Sequence, residues 1–254
     1  MKTAEIQARL EACSMEALPA ELAAWEGDSR STVQKLLERY RKKLAAYEKE
    51  LARTEEMKKY EKVYGEYSLI CGIDEAGRGP LAGPVVAGAV ILPKDCNILY
   101  LNDSKQLSAK KREELYDVIM EQAVSAAVGV VSPAVIDEIN ILQATYEAMR
   151  IAIGKLSPAP DLLLNDAVKI PEVSIRQIPI VKGDAKSISI AAASIIAKVT
   201  RDRMMEAYDE LYPEYGFAGH KGYGSAAHIA ALKEYGPCPI HRRTFIGNFV
   251  AVEE

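Results

Sequence analysis

An α/β fold with a helical segment in front of it agrees with three features of the amino-acid sequence. Two short, apolar and partly β-branched runs, 67–71 and 85–92, follow each other closely and are typical of buried strands. Helical and strand patterns alternate along the chain after these two runs. Before them, residues 3–62 show only amphipathic helical patterns, so a helical segment is expected to precede the part of the chain that contains the sheet.

Length and composition restrict the class of protein. A chain of 254 residues can hold one domain of ordinary size and an appendage, and 49% hydrophobic with 27% charged residues is typical of a soluble globular protein. No apolar stretch is long enough to span a bilayer, and the first residues lack the apolar core of a signal peptide. Four cysteines without a C-x-x-C pair predict reduced thiols and a cytoplasmic protein.

The N-terminal part is predicted to be a helical extension over 1–65, with a domain boundary near Gly65. Its pattern indicates short helices over 3–13 and 15–25 and a longer one from about residue 32 to residue 62. Residues 30–62 contain eleven Lys or Arg and six Glu, although the whole chain has a net charge of −4. Two interpretations stay open: a solvated helix packed on the main domain, or a helix that binds a nucleic-acid backbone.

The two apolar runs are joined by the segment 71–84, which concentrates unusual residues. Asp74 and Glu75 are adjacent carboxylates, and adjacent carboxylates at the end of a core strand resist burial unless a cation is present, for which a hard divalent metal is a candidate. The glycines around Arg78 allow backbone N–H groups to approach a phosphate or a sugar. A solvated charged turn is the commoner arrangement for the dipeptide alone. A nucleotide-binding loop is a weak alternative, because prolines and a second strand follow where such a loop opens a helix.

Two further carboxylates follow predicted strands. Asp166 ends the apolar run 161–166, and Asp184 comes just after the short run 178–181. Because neighbouring strands can bring their terminal residues together, these acids are expected to join Asp74 and Glu75. Asp202 is an alternative fourth acid, but it lies between two arginines far down a predicted helix, where an ordinary ion pair is expected.

The remaining elements complete the alternation. Ser108 is a candidate cap for a helix over 109–122, after the turn that contains Ser104 and Lys105. A strand over 124–131 and a helix over 133–155 follow. The small residues of the helix that begins near residue 185 permit close packing against the sheet.

The segment 215–228 mixes basic groups, aromatic rings and glycines, as a surface that binds a nucleic-acid backbone would. Tyr223 lies between two glycines, which leave its ring accessible, although a core tyrosine with a satisfied hydroxyl is the alternative. His220 and His228 could form the acid–base pair of a metal-independent ribonuclease. That mechanism would leave the four acids unexplained, whereas an oxygen-rich site suits Mg²⁺ or Mn²⁺ and phosphodiester hydrolysis by two metals.

The whole segment 71–84 resembles the signature of the bacterial type 2 ribonucleases H, the ribonuclease HII family, and the similarity extends over about 66–246. The resemblance implies a ribonuclease H-like mixed β-sheet flanked by helices, with an N-terminal helical extension over 1–65. It also implies a catalytic domain over 66–254 with a helical C-terminal region that binds substrate. The implied activity is endonucleolytic hydrolysis of the RNA strand of RNA/DNA hybrids and cleavage 5′ to ribonucleotides embedded in duplex DNA. The products would carry 5′-phosphate and 3′-OH ends.

The resemblance also implies roles for individual residues, with Mn²⁺ or Mg²⁺ as the cofactor. The catalytic and metal-binding residues would be Asp74, Glu75, Asp166 and Asp184. The substrate-binding residues would be Gly77, Arg78, Gly79, Ser104, Lys105, Lys221, Tyr223 and Ser225. Ser225 stands where threonine is frequent in the family, and it keeps the hydroxyl. We expect a monomer whose partner is the nucleic-acid substrate, and no membrane association.

Two other functional classes stay open from the sequence. A related metal-dependent nuclease, of the sister HIII type or a junction nuclease, would share the acids but differ in the ribose-recognising elements. A non-catalytic nucleic-acid-binding protein would need no acid cluster, and such a cluster would repel the phosphates that it binds.

Overall fold

The computed structural model describes residues 1–250, which divide into two compact units, Met1–Glu56 and a unit that begins at Met57. The first unit contains helices α1 (Thr3–Ala12) and α2 (Leu18–Ala24) and nearly all of α3 (Ser31–Met57). These helices enclose a small core of their own, formed by Ile6, Leu10, Leu18, Leu22, Val33, Leu36, Leu37 and Tyr40.

The long helix predicted to reach residue 62 is interrupted. The backbone of Lys58 leaves the helical region at φ −83° and ψ 4°, so α3 ends at Met57 and a short helix, α4 (Lys59–Val63), follows. Helix α4 belongs to the second unit, where Glu61 accepts hydrogen bonds from the Ser187 hydroxyl at 2.6 Å and from the Ser189 N–H at 3.1 Å.

The second unit is built on a mixed five-stranded sheet, which confirms the predicted fold class. Its strands are β1 (Ile70–Ala76), β2 (Val85–Ile91), β3 (Ser125–Val131), β4 (Leu162–Asp166) and β5 (Arg176–Ile180). The order across the sheet is β3-β2-β1-β4-β5, with β1–β2 and β2–β3 antiparallel and β1–β4 and β4–β5 parallel. Strand β1 therefore lies in the centre, between the antiparallel and the parallel halves.

The described part of the second unit has six helices besides α4. Helices α5 (Ala109–Gln122) and α6 (Pro133–Gly154) lie between strands in the sequence, and the others follow β5: α7 (Ile188–Leu211), α8 (Phe217–His220), α9 (Ala226–Tyr235) and α10 (Arg243–Ile246). Serine side chains accept a hydrogen bond from the first turn of four of these helices and so satisfy a free N–H group; they are Ser108, Ser132, Ser187 and Ser225. In α6, Asn140 has φ 65° and ψ 163°, so this helix is kinked after its second turn.

The sheet is covered by helices on both faces. One core joins α6 to side chains of β1 and β2 such as Ile73 and Val85, and a second core joins α5 and α7 to the other face. Helix α7 comes very close to the sheet: a Cβ atom on Gly72 would lie 2.0 Å from the carbonyl carbon of Ser189, and one on Gly88 would lie 2.3 Å from the Ala193 oxygen. The close packing predicted from the small residues of α7 is therefore present, and glycines of the sheet make it possible.

No helix among residues 1–250 is long and apolar enough to cross a membrane.

Candidate active site

Asp74 and Glu75 lie near the end of strand β1 and not in a solvated charged turn, which was the alternative from the sequence. Side chains alternate across a strand, so the two carboxylates leave the backbone on opposite faces of the sheet. Asp74 faces α7, where Ser194 interacts with it and opposes the rise in its pKa, and its exposed fraction is only 6%. The Glu75 N–H donates to Asp74 Oδ1 at 2.7 Å and holds this buried carboxylate in place.

Asp166 and Asp184 are connected to each other through the backbone. Asp166 is the last residue of β4, which runs parallel to β1, so both strands end at the same edge of the sheet. The Gly183 N–H donates to Asp166 Oδ1 at 2.7 Å, and Asp184 follows in the single 3-10 turn Gly183–Ala185. The end of β4 therefore determines the position of the turn that carries the fourth predicted acid.

Burial and repulsion between the carboxylates raise the pKa values of three of the acids. The pKa of Asp74 is raised by burial and by the negative charges of Glu75 and Asp166. Burial also raises the pKa of Glu75, against the opposing effect of Arg78. For Asp184 the pKa is raised by burial, and the charges on other acids add to this effect.

A fifth carboxylate, Asp103, takes part in this electrostatic cluster. Among the other acids, Asp103 raises the pKa of Asp184 most, and Asp166 follows it. Asp103 Oδ1 accepts the Lys105 N–H at 2.9 Å. This hydrogen bond holds the start of the turn that contains Ser104 and Lys105. The sequence analysis did not select Asp103, although it directly precedes the two predicted substrate-binding residues.

The chemistry of the four predicted acids fits a hard divalent cation. Carboxylate oxygens are the ligands that Mg²⁺ and Mn²⁺ prefer, and a cation would relieve the repulsion that raises the pKa values of Asp74, Glu75 and Asp184. Within residues 1–250, no three His, Cys, Asp or Glu side chains already lie close enough together to hold a metal ion. The fit therefore rests on the donor atoms and on their electrostatic coupling.

The Gly77–Gly79 segment and Tyr223 are brought together next to these acids. A Cβ atom on Gly79 would lie 3.9 Å from Cε1 of Tyr223, whose side chain is 45% exposed. The N–H groups of Leu81 and Ala82 both donate to the Gly222 carbonyl, at 2.8 and 3.3 Å. The two predicted ribose-recognising elements, which are far apart in sequence, thus form one continuous surface.

Arg78 and Lys105 place positive charge at the edge of the acid cluster. Arg78 Nη1 lies 3.4 Å from Glu75 Oε1, and its side chain is 44% exposed. Lys105 is exposed, and its charge opposes the rise in the pKa of both Glu75 and Asp184. Both side chains therefore bring positive charge close to the acids.

Three of the predicted substrate-binding residues have their polar side-chain atoms bound within the protein. Ser104 is buried, and its hydroxyl oxygen accepts from the Ser194 hydroxyl at 3.0 Å. Lys221 Nζ donates to Glu206 and to the Ala218 carbonyl, both at 2.7 Å. Ser225 Oγ caps helix α9. These side chains support the site in this structure, while Arg78, Lys105 and Tyr223 are accessible.

Asp202 is separate from the acid cluster and has positive partners. Lys198 Nζ lies 2.7 Å from its Oδ1, and Arg112 Nη2 lies 3.6 Å from its Oδ2. The ion pair expected at this position is present, although its partners are not the two arginines adjacent in sequence.

The histidines His220 and His228 do not form an acid–base pair, because their hydrogen bonds determine neutral tautomers. His220 Nε2 donates to the Tyr215 carbonyl at 2.8 Å, and its Nδ1 accepts the Gly222 N–H at 3.1 Å. His228 Nδ1 donates to the Tyr223 carbonyl at 2.9 Å, which leaves its Nε2 as an acceptor. The two rings are stacked with centroids 4.4 Å apart and hold the backbone on both sides of the Gly222–Tyr223 peptide.

His241 completes this histidine chain. Its Nε2 lies 3.0 Å from His228 Nε2 and must be the donor there, while its Nδ1 accepts the Cys238 N–H at 3.0 Å. Burial and the neighbouring His228 lower the pKa of His241 to about 4, and burial lowers that of His228. His228 and His241 are therefore neutral at pH 7, and the hydrogen bonds of all three histidines support the Tyr223 segment.

Two buried arginines next to the site were missed by the sequence analysis. Arg201 and Arg242 are both 0% exposed, and each guanidinium donates to three backbone carbonyls around the segment 77–84. The sequence contains no local sign of this role, because a basic residue in a helix or in a C-terminal turn is usually solvated.

Comparison with known proteins identifies the family. The family model described as Ribonuclease HII matches residues 71–248, and the Ribonuclease HII N-terminal domain matches residues 2–65. This chain belongs to the ribonuclease HII family. It is therefore a metal-dependent endoribonuclease with ribonuclease H activity, as the sequence motif predicted.

Relatives support this membership over nearly the whole chain. A ribonuclease HII of Lachnoclostridium phytofermentans is 65% identical over 224 residues, which cover 88% of each chain. A ribonuclease HII of Acetivibrio thermocellus is 53% identical over 252 residues, which cover 98% of each chain.

Solved structures show the same fold. The ribonuclease H2 of Pyrococcus horikoshii superimposes with a TM-score of 0.58 at 33% identity and covers 69% of this chain and 93% of its own. The ribonuclease HII of Archaeoglobus fulgidus, solved in a complex with PCNA, gives a TM-score of 0.57 at 31% identity, with 68% and 93% coverage. The similarity to both extends over about two thirds of this chain.

Proposed function

We propose that this ribonuclease cleaves the RNA strand of RNA/DNA hybrids and cuts duplex DNA on the 5′ side of an embedded ribonucleotide, leaving 5′-phosphate and 3′-OH ends. The observation that carries the proposal is the position of the acid cluster beside the surface formed by Gly77, Arg78, Gly79 and Tyr223. Acids alone would suit many nucleases. An accessible tyrosine beside the glycine that follows an exposed arginine suits an enzyme that distinguishes ribose from deoxyribose, since the 2′-OH is the group that differs.

The four acids Asp74, Glu75, Asp166 and Asp184 would hold Mg²⁺ or Mn²⁺. When bound, two such ions would lower the pKa of the attacking water and stabilise the charge on the leaving 3′-oxygen. Asp74 would be the central ligand of this set, because its carboxylate is buried in the central strand and interacts with both Glu75 and Asp166. Ser194 and the Glu75 N–H orient the Asp74 carboxylate.

The residues around the acids would bind the substrate. The Gly77–Gly79 segment and Tyr223 contact the ribose and its 2′-OH, and the exposed Arg78 and Lys105 side chains approach backbone phosphates. Ser104, Lys221 and Ser225 are proposed to act on the substrate by holding these segments in place, because their polar atoms bond within the protein.

The catalytic domain is proposed to span 66–254, and the helical extension over 1–65 to bind the duplex. The extension carries the excess of basic residues between positions 30 and 62. A basic face binds phosphates without regard to base sequence, which suits an enzyme that must find rare ribonucleotides in DNA. We further propose that the enzyme acts as a monomer in the cytoplasm.

The proposal is tested with a DNA duplex that carries one ribonucleotide, incubated with Mg²⁺, Mn²⁺ or EDTA and with wild type or Asp74→Asn. We expect a cut 5′ to the ribonucleotide with either ion, no cut in EDTA, and none with Asp74→Asn. Cleavage of long hybrids alone would contradict the assignment to embedded ribonucleotides. Tight binding without cleavage in any metal would contradict the assignment of the acids as catalytic residues.

A further inference from the structure

The segment Gly77–Pro84 is held from the protein interior by the two buried guanidinium groups. Arg242 donates from Nη2 to the Gly77 carbonyl at 2.5 Å, from Nη1 to the Arg78 carbonyl at 2.9 Å and from Nε to the Gly83 carbonyl at 3.0 Å. Arg201 donates to the carbonyls of Pro84, Ala82 and Lys221 at 2.9, 3.1 and 2.9 Å. Five carbonyls of this short segment therefore point towards two fixed cations.

Neither guanidinium is paired with a carboxylate in the described part of the chain. Asp202, next to Arg201 in sequence, pairs with Lys198 and Arg112 instead. Asp137, the acid that acts on Arg242 through its charge, accepts the N–H groups of Arg243 and Thr244. Burying a cation without a counter-ion costs several kcal/mol. Burial and the charge of Arg201 accordingly lower the pKa of Arg242 to about 9.

The orientation of these carbonyls also determines where the N–H groups of the segment point. In a planar trans peptide the C=O and N–H bonds point in opposite directions. With the Gly77 and Arg78 carbonyls turned inward to Arg242, the N–H groups of Arg78 and Gly79 must point outward. Neither of these two N–H groups has a hydrogen-bond acceptor among residues 1–250, and both residues are exposed. These two consecutive N–H groups thus lack an acceptor, and they lie next to Tyr223.

We propose that Arg242 is a positioning residue for ribose recognition: its planar fork turns the Arg78 and Gly79 N–H groups outward, where they donate to the 2′-oxygen and the adjacent phosphate. Arg201 supports the same segment from its other end, and its side chain occupies the space beside Gly77, where a Cβ atom would lie 2.1 Å from Nε. The inference rests on the proposed function, because it assigns the origin of the ribose selectivity of that site.

Arginine is required at position 242 for a geometric reason. A guanidinium offers five N–H donors in one plane and can hold two consecutive carbonyls in fixed directions, whereas the three donors of a lysine ammonium rotate freely. Arg242→Lys therefore keeps the charge but releases the peptide orientation. Arg243→Lys is the matched control, because Arg243 is the exposed neighbour in the same turn.

The experiment measures selectivity and not only rate. Binding of a duplex with one ribonucleotide and of the all-DNA duplex of the same sequence is measured with Ca²⁺ in place of Mg²⁺, and cleavage of the first duplex is measured with Mg²⁺. We expect Arg242→Lys to reduce the affinity ratio between the two duplexes by about tenfold, with unchanged affinity for all-DNA, and Arg243→Lys to leave the ratio as in wild type. A fall in affinity for both duplexes by the same factor would overturn the proposal.

A second measurement needs no variant and stays informative if Arg242→Lys does not fold. The backbone amide resonances of Arg78 and Gly79 in the wild-type protein should shift on addition of the ribonucleotide duplex and stay unchanged with the all-DNA duplex. Equal shifts with both duplexes, or none with either, would overturn the role of these N–H groups. Failure of wild type to cut 5′ to the ribonucleotide in Mg²⁺ would instead refute the proposed function.

Discussion

At the scale of single residues, the site combines charges that oppose folding with neutral groups that hold it together. Asp74 is nearly buried and is surrounded by the charges of Glu75 and Asp166, so its ionised form is disfavoured in the folded protein. The histidines beside Tyr223 show the opposite arrangement, because His228 Nε2 and His241 Nδ1 accept hydrogen bonds and a ring nitrogen can accept only in a neutral ring. The acids are proposed to hold a cation, whereas the histidines support the backbone of the Tyr223 segment.

Asp74→Asn should stabilise the metal-free protein while it removes cleavage. The pKa of Asp74 is raised on folding, so its stability contribution is present below pH 3.8 and is lost as the pH rises through the folded value. The amide avoids this loss, and at pH 7 in EDTA we expect a gain of roughly 1 kcal/mol or more in the free energy of unfolding. The gap to wild type should close as the pH falls towards 4. Cleavage should fall by at least about 100-fold.

Urea denaturation of both proteins in EDTA across this pH range checks the stability. The exposed Asp117→Asn serves as the control, and it should change neither stability nor cleavage. A less stable Asp74→Asn at pH 7 would contradict the electrostatic account of the site.

His241 should make the stability of the protein sensitive to mild acid. Its pKa is lowered from 6.5 to about 4 on folding, so its contribution is complete above pH 6.5 and is lost as the pH falls towards 4. Glutamine at this position has the hydrogen-bonding groups but does not titrate in this range. Unfolding free energies measured between pH 7 and pH 4 should therefore fall less steeply for His241→Gln than for wild type. Nitrogen NMR at pH 7 should show His228 as the Nδ1–H tautomer and the other two histidines as Nε2–H.

At the scale of elements, the approach of α7 to the sheet positions the catalytic strand. Gly72 and Gly88 let the backbone of α7 contact β1 and β2, and the same approach brings Ser194 to Asp74. The N-terminus of α7 is held in turn by Glu61 of α4 through Ser187 and Ser189. A change in this packing should therefore reach the active site through β1.

Gly72→Ala should destabilise the protein strongly. Its methyl group would lie 2.0 Å from the Ser189 carbonyl carbon, a backbone atom that cannot move without displacing α7. We expect a loss of about 3 kcal/mol or more, as in overpacked cores. Gly154→Ala is the control: this glycine ends α6 with nothing within 4 Å of its Cβ position, so alanine should be neutral or stabilising by up to about 1 kcal/mol. Similar unfolding energies for the two variants would contradict the close packing of α7.

At the scale of the whole molecule, the predicted acids and most of the basic helical extension lie in different units of the chain. The first unit, Met1–Glu56, has its own apolar core, and the predicted acids all belong to the second unit. The predicted extension reached residue 65, but Met57 lies in a core with α5 and α7, and Glu61 holds the N-terminus of α7. A truncation that respects the structure must therefore keep residues from Met57 onward.

Removal of residues 1–56 should weaken hybrid binding and leave the position of cleavage unchanged. The basic residues of the extension would release counter-ions from the duplex, and each phosphate contact contributes about 0.9 to the slope of log affinity against log salt. We expect this slope to flatten by roughly one to three. Affinities measured over a salt series, with the cleavage site mapped on the same substrate, check this. An unchanged slope would show that the extension does not contact the phosphates.

Short stretches of the sequence were enough to predict the apolar runs of the strands, the Ser108 cap, the family signature and the four candidate acids. The interruption between α3 and α4 at Lys58 and the exact extent of β1 were not predicted from the sequence. Neither a helical pattern nor a charged dipeptide shows where the backbone dihedrals change. Contacts between groups that are distant in sequence became known from the tertiary fold. Arg242 lies 165 positions from Gly77, whose carbonyl it binds, and His228 and His241 meet across a turn. Such contacts arise when packed elements exclude water and buried polar groups must find partners, and no local pattern of residues specifies them.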